Sequence, residues 1–574
     1  MSARKRKLRK AESPGPGPVR RSRLVYLAYA LTVAIAVWAY APSLHGPFLF
    51  DDSYLPFALP VAGAPLAAWL RGVRPALMLT YWINSRISGT DPFSYHLFNL
   101  ALHLVNSVLI LIVVRRLTRW AGVAEDKREI LAWLAALVFL LHPAQTEAVA
   151  YVAGRSEVLS TLWFLAAFAV FLYRPAPAVS WGTALVVLML FGLALLSKEQ
   201  TVVLPALLLL TDFWWDRDFS PRGVRSNWRI YAPLSLGVVG AGVSFWSLIA
   251  HATSAGFALK DFTWYQYFYT QWRALFVYVA TFLLPFHLTA DWDFPISKTP
   301  ADHGAIAGLL ALVLLGAVAW KYRQRFRLAA FGFFVFLVLM APTSSILPIQ
   351  DAVAERRLYF AMPGLLLIVV DMASRLKWNR AGALVMAAAL AVAAAAATHV
   401  RAGLWGNAVA LWEDTARKSP DKARPHFQLA SAYYEAGQCD RAVAEFERTA
   451  KLEKPEYSLL IDWALACDCI NQPGPALDKL KQAAALQPTA HVYSQIARVY
   501  GERSRWAEAL EALDASERID GAYAMTFYYR AKIHLQTGQA QLALKEYQRA
   551  LALEPALQQA GQEFYAAAAP ASVR

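Results

Sequence analysis

"HFQLASAYYEAGQCDRAVAEFERTAKLEKP" occupies residues 426–455, and the reading of the chain starts from what this stretch repeats. Ala430 recurs as Ala464, Ala497 and Ala531, at intervals of 34, 33 and 34 residues. Twelve positions after each stands another alanine (Ala442, Ala476, Ala509, Ala543), and four further on a bulky residue (Phe446, Leu480, Leu513, Tyr547). Pro488 and Pro555 close their units, and Pro455 closes the first one place late. Small residues at such spacing let two antiparallel helices approach closely, while the bulky ones fill the gap to the next pair, so the period specifies a stack of helix pairs.

These are tetratricopeptide repeats, about four of them, preceded by a half repeat in "NAVALWEDTARK" at 407–418. They define a domain at 401–560, with a short tail at 561–574. Upstream the chain is written for another solvent. Of its 574 residues 57% are hydrophobic and only 17% charged, and the excess apolar content lies before residue 400. Segments near the ~20 residues that cross a bilayer core recur there. They fall near 24–42, 95–114, 130–142, 157–173, 179–197, 199–214, 230–251, 303–320, 328–348, 358–375 and 380–399. The expected fold is therefore all-α: a polytopic bundle of about eleven spans over 24–400, then an α-solenoid. The apolar stretch 272–288, "WRALFVYVATFLLPFHL", breaks the alternation if it crosses, and is read as interfacial or re-entrant.

Orientation follows from the cations, which favour the cytoplasmic side. Clusters stand at Arg115, Arg116, Arg119, Lys127 and Arg128, at Arg217, Arg222, Arg225 and Arg229, at Lys321, Arg323, Arg325 and Arg327, and at Arg375, Lys377 and Arg380. All can share one side. Residues 1–23 add nine Lys or Arg against one acid, which accounts for eight of the fifteen net positive charges. That tail reads as disordered, cytoplasmic and held near anionic lipid headgroups, so the basic balance implies membrane lipid rather than nucleic acid. No short apolar core with a small-residue cleavage site marks a signal peptide. The repeats then lie on the non-cytoplasmic side, together with loops at 43–94, 143–156, around 198, 252–302 and 349–357. Three cysteines, Cys439, Cys467 and Cys469, offer neither paired zinc spacing nor a disulfide framework.

The outer loops hold the unusual polar residues. In "HGPFLFDDSYLPF", residues 45–57, Asp51 and Asp52 sit in an apolar surround, which raises carboxyl pKa values and suits a general base as well as a helix cap. "LHPAQTEAVAYVAGRSEVLS", 141–160, places His142, Glu147, Arg155 and Glu157 at one span end, with Gly154 permitting a close turn; HExxH is absent, which argues against a metal hydrolase. Lys198 and Glu199 lie between two apolar segments and form either a loop ion pair or a phosphate contact. Glu355, Arg356 and Arg357 stand at an outer span end, against the cation bias, where a lipid-linked phosphate is a natural partner and snorkelling the plain alternative. His96 and His103, seven apart on one helix face, read as packing or hydrogen-bonding residues. The aromatic run 261–272 reads as an interfacial belt. No GxGxxG in a strand–helix setting and no GxxxxGK[ST] occurs, so an activated donor has to come from the membrane.

Taken in order, "FLFDDSY", "VRPALMLTYWINSRISGTDPFSYHLFNLALHLVN", "LHPAQTEAVAYVAGRSEVLS", "LLSKEQT" and "VAERRLYF", followed by the repeats, resemble the transmembrane and tetratricopeptide-repeat O-mannosyltransferases, within the type C glycosyltransferases. The resemblance covers nearly the full length and implies transfer of a sugar, mannose in that family, from a polyprenyl phosphate to a protein hydroxyl with inversion. By position it implies Asp51 or Asp52 as the base, with Glu147 orienting an acceptor or cation. It makes Arg356, with Arg357, Lys198 or Arg155, the ligand of the leaving phosphate. Arg74, His96, His142, Glu157, Glu199 and Glu355 join these as substrate-orienting candidates. A divalent cation, magnesium or manganese, at the outer-loop acids is the one cofactor it suggests. The partners implied are the lipid-linked donor, membrane lipid and an acceptor polypeptide held by the repeats. The alanine-rich spans point to a bacterial inner membrane, and the endoplasmic reticulum is the eukaryotic equivalent. A membrane-anchored repeat scaffold without activity and an outer-face glycan ligase or polymerase are the competing readings.

Overall fold

A computed structural model describes residues 18–59, 63–175, 178–216, 219–251 and 256–568. The first 17 residues of the basic tail, Arg217 of the second cation cluster and the last six residues of the C-terminal tail lie outside the described residues. Two compact units divide the chain between Asn407 and Ala408. Both are helical, and no β-sheet occurs among the described residues.

The first unit opens with α1 (Pro18–Tyr40). This helix starts six residues before the expected span and takes in the end of the tail expected to be disordered, because Pro18 presets the first helical φ. There follow α2 (Pro75–Ser88), α3 (Pro92–Trp120), α4 (Glu125–Leu141), α5 (Arg155–Leu172), α6 (Trp181–Leu195), α7 (Leu204–Trp215), α8 (Trp228–His251) and α9 (Trp264–Leu283). The unit ends with α10 (Ala305–Lys321), α11 (Arg327–Met340), α12 (Arg356–Arg375) and α13 (Arg380–Trp405).

Among the described residues six helices are long and apolar enough to cross a membrane, or seven if α4 and the short helix that follows it, bent by 51°, form one span. Of the other expected spans, α6, α7 and α11 have 15, 12 and 14 residues, and at about 1.5 Å per residue none alone reaches the ~30 Å of a bilayer core, whereas α8, with 24 residues, runs the length of the span expected at 230–251. The segment at 272–288 lies mostly in α9, one unbroken helix capped by Thr263, so it is not a re-entrant hairpin. Its Tyr267, Gln271, Ala274 and Tyr278 are buried, while Trp264, Tyr265 and Leu283 are exposed.

Polar side chains stitch the bundle. On α3, Asn106 Nδ2 donates to Val158 O at 2.8 Å and Ser107 Oγ to Ala136 O at 2.9 Å. Such bonds hold helices together where apolar surface alone gives little preference between lipid and protein. Helices α11 and α12 cross at backbone contact: a Cβ on Gly364 would lie 2.5 Å from Phe336 N, and one on Gly332 2.5 Å from Gly364 O.

The second unit is the solenoid: α14 (Ala408–Lys418), then the pairs α15 (Ala423–Glu435) with α16 (Cys439–Leu452) and α17 (Tyr457–Cys469) with α18 (Pro473–Leu486). The pairs α19 (Ala490–Gly501) with α20 (Trp506–Ile519) and α21 (Ala524–Gln536) with α22 (Ala540–Leu553) complete it. Every alanine and bulky residue of the 34-residue pattern is buried. Contrary to the sequence expectation, Cys439 and Cys469 form a disulfide, with Cα atoms 6.1 Å apart, and Cys467 remains a buried free thiol. Stacking brings the start of the second helix of one repeat beside the end of the first helix of the next, a proximity that a sequence separation of 30 conceals.

Candidate active site

The two adjacent aspartates are turned to different environments by one 3-10 turn, Phe50–Tyr54, entered at a left-handed Phe50 (φ 52°). A non-glycine residue there is sterically costly and has to be held by its surroundings. Asp52 is held from two sides: Oδ2 accepts from Leu49 N at 3.0 Å and Oδ1 from Ala153 N at 2.7 Å. It is only 1% exposed, and burial pushes its carboxyl up to about 7 against the opposing pull of those N–H groups. Asp51, by contrast, is exposed, and its backbone N–H donates to Tyr151 Oη at 2.9 Å. The acid loop is thus clamped to residues 151–153.

Those residues belong to a tight return between α4 and α5. His142 ends α4, with Nε2 2.9 Å from Phe282 O and Nδ1 accepting from Ala144 N at 3.2 Å. Gly154 closes the return, where a Cβ would lie 2.6 Å from Ala148 O. Between them Glu147 is buried, accepts from Arg356 N at 2.8 Å and pairs with the Arg356 guanidinium. Arg356 also reaches Asp351 at 3.5 Å and keeps 23% of its side chain exposed, so an edge of the guanidinium remains open to a ligand. Tyr151 lies within electrostatic reach of Asp51, Asp52 and Arg356, and burial holds its phenol protonated well above the usual tyrosine range. Asp51, Asp52, Glu147 and Arg356 are therefore brought together around Tyr151.

A second constellation flanks α2. Arg74 Nε and Nη2 pair with Glu199 at 3.0 and 2.5 Å, and Lys198 pairs with the buried Glu157, which also accepts from Gln200 Nε2 at 2.5 Å. Asp52 and Arg74 both act electrostatically on the hydroxyl of Tyr81.

The remaining candidates are used elsewhere. Arg155 is fully buried and gives Nε to Asn99 Oδ1 at 2.7 Å, Nη1 to Asn84 Oδ1 at 2.7 Å and Nη2 to Tyr95 O at 3.0 Å. The rings of Tyr81 and Phe98 cover it, 4.5 and 4.7 Å from Cζ. It organises the outer ends of α2, α3 and α5 and presents no open edge to a phosphate. Arg357 donates to Ala352 O at 3.1 Å and Asp351 O at 2.5 Å, tying down the loop before α12. Glu355 accepts from Thr289 N at 2.5 Å and faces Arg401 at 3.7 Å. His96 Nε2 lies 3.2 Å from Gly46 O. Sequence reasoning missed Tyr151, Asp351 and Gln200; all three lie in or beside the quoted motifs, and a hydroxyl aromatic in an outer loop was the available signal for the first.

Among the described residues no group of three or more His, Cys, Asp or Glu is arranged to hold a metal ion.

No model of a known protein family matches the chain. Among curated relatives, the Caenorhabditis elegans protein O-mannosyl-transferase F38B6.6 is 24% identical over 451 residues, 74% of this chain and 63% of the relative. The mouse protein O-mannosyl-transferase TMTC3 is 38% identical over 134 residues, 23% of this chain and 14% of the relative. Human protein O-mannosyl-transferase TMTC1 is 25% identical over 500 residues, 75% and 56% of the two chains. The chain thus spans less than two thirds of the length of these relatives. Among solved structures, MamA aligns over 28% of this chain and 94% of its own, at 18–19% level identity for its several forms and a TM-score of 0.25 in the crystal structure.

Proposed function

We propose that this chain is an integral-membrane glycosyltransferase that moves a sugar, mannose, from a polyprenyl-phosphate donor to a Ser or Thr hydroxyl of a protein on the non-cytoplasmic face. The observation that carries the reading is the pairing of an exposed carboxylate, Asp51, with a buried one, Asp52, whose two backbone contacts hold the loop beside Tyr151. An exposed acid on a rigid support suits a general base. In the proposed step Asp51 takes the proton of the acceptor hydroxyl, and the acceptor oxygen forms a bond to the anomeric carbon as the carbon–oxygen bond to phosphate breaks. The electron pair leaves on the polyprenyl phosphate, and the configuration inverts. Arg356, with Arg74 and Lys198, supplies the positive charge that such a leaving group requires.

The names of the relatives support protein as acceptor and mannose as sugar. The Cys439–Cys469 disulfide supports a non-cytoplasmic solenoid, because such bonds persist in oxidising compartments. One chain carries both the repeats and the spans, so a polypeptide held by the repeats is presented to the membrane unit at an effective concentration set by the link. The test is transfer from polyprenyl-phosphate mannose to a Ser/Thr peptide by the purified protein in nanodiscs. Absence of transfer from any polyprenyl-phosphate sugar would overturn the reading.

A further inference from the structure

A cleft of about 410 Å³ opens beside the acid loop, walled by Pro56, Trp69 and Met78 and bearing two guanidinium groups, Arg71 and Arg74. Arg71 is exposed and has no ion-pair partner among the described residues. Arg74 engages Glu199 through Nε and Nη2, which leaves Nη1 unoccupied by protein among the described residues. Helix α2 begins at this cationic end, and on it Leu79, Ile83 and Ile87, four residues apart and therefore on one helix face, are 38%, 42% and 74% exposed. A cationic mouth followed by an apolar stripe matches an amphiphile with an anionic head and a hydrocarbon chain.

We propose that this cleft holds the donor: Arg71 and Arg74 take the phosphate, and the stripe on α2 takes the first isoprene units. The inference rests on the glycosyl-transfer reading and assigns the donor to the α2 side. Position favours a polyprenyl phosphate over bulk phospholipid. Pro56 is four residues from Asp52, and Tyr81 feels both Asp52 and Arg74, so a sugar esterified to a phosphate at Arg74 sits toward the acid loop. Charge favours it too. The sugar-bearing phosphodiester carries one negative charge and the released monoester gains a second, so two guanidiniums complement the departing group better than the substrate, which is the differential binding that accelerates a step.

The experiment uses the full chain in zwitterionic nanodiscs with two readouts. A polyprenyl phosphate carrying a diazirine in its first isoprene unit is expected to label residues 75–88 in the wild type and to lose that labelling in Arg71→Ala. Kinetics with polyprenyl-phosphate mannose should show the donor KM of Arg71→Ala raised about tenfold, the loss of one charge-assisted contact, with the peptide KM unchanged. Ile83→Gln, a second exposed site, should raise the donor KM in the same direction. Labelling that persists in Arg71→Ala, an unchanged donor KM, or displacement of the label by excess phosphatidylglycerol would overturn the assignment. Labelling of α2 without any sugar transfer would support the cleft while overturning glycosyl transfer, so the two failures are distinguishable.

Discussion

Replacing each aspartate of the pair by asparagine separates a chemical role from a mechanical one. Asp51 is exposed and contributes only its backbone N–H to the clamp, so Asp51→Asn removes a proton acceptor and leaves every hydrogen bond of the loop in place. A positioned general base contributes about 10²–10⁴-fold. The transfer rate at saturating donor and peptide is therefore expected to fall by at least about 100-fold with the thermal midpoint unchanged. Asp52→Asn does the reverse. Its carboxylate accepts from Leu49 N and Ala153 N, whereas a carboxamide accepts through one oxygen and sets its NH2 against the other donor. An orphaned buried N–H costs about 1–3 kcal/mol, which should lower the midpoint and, by loosening the loop, reduce rather than abolish transfer. The assay is radiolabelled mannose transfer in nanodiscs beside thermal unfolding of the same preparations. Asp51→Asn retaining the rate within about tenfold, while Asp52→Asn is inactive at an unchanged midpoint, would place the base at Asp52 and refute the reasoning.

Burial lifts the Asp52 carboxyl to about 7, above its value near 4 in an unfolded chain, so its contribution to stability is complete below about pH 4 and is lost as pH rises to about 7. The stability of the wild type relative to Asp52→Asn should fall as pH rises across that window, and a flat difference would contradict the burial. Arg155→Met should impair folding and yield rather than raise the donor KM, because it strands the acceptors on Asn84, Asn99 and Tyr95; a well-folded variant with only a KM defect would return Arg155 to the phosphate. Gly364→Val should prevent assembly of the bundle, as its first added carbon already meets Phe336 N at 2.5 Å, and native-like elution of that variant would refute the close crossing. Unreduced protein unfolded in denaturant should take up one thiol-alkylating group, at Cys467, and three after reduction; closing a 30-residue loop contributes about 3–4 kcal/mol, the expected loss in Cys439→Ser.

The solenoid was legible because its signal is periodic: Ala430, Ala464, Ala497 and Ala531 recur in register, and each is buried where one helix meets the next. The spans were less legible, since hydropathy reports an apolar segment and not whether it runs as one helix. The segment at 199–214 reads as a single span, yet Glu199–Val203 forms a 3-10 turn and only Leu204–Trp215 continues as α-helix. At the site, residue types were visible and partners were not. Arg155 and Arg356 look alike in sequence, but one is enclosed by neutral oxygens and rings while the other keeps an open edge beside a carboxylate. Tyr151 escaped notice because its importance lies in a bond to a backbone N–H one hundred residues away.

The orientation of Arg356 depends on polar residues deep in the bundle as much as on Glu147. Tyr359 lies one turn further along α12, and its hydroxyl is 2.9 Å from His103 Nδ1 and accepts from Asn106 Nδ2 at 2.8 Å, both on α3. His103 Nε2 in turn lies 3.0 Å from Leu140 O, near the end of α4, immediately before the return that carries Glu147 and Tyr151. The same three helices thus fix the rotation of α12 and the place of the return. An apolar contact would allow α12 to turn about its axis with little change in energy, whereas a hydroxyl bonded to two side chains permits one rotation only. Three residues earlier on the same helix, that rotation aims Arg356 at Glu147. The histidine and asparagine of α3, which touch no outer-loop acid, are in this sense part of what sets the charge beside Asp51.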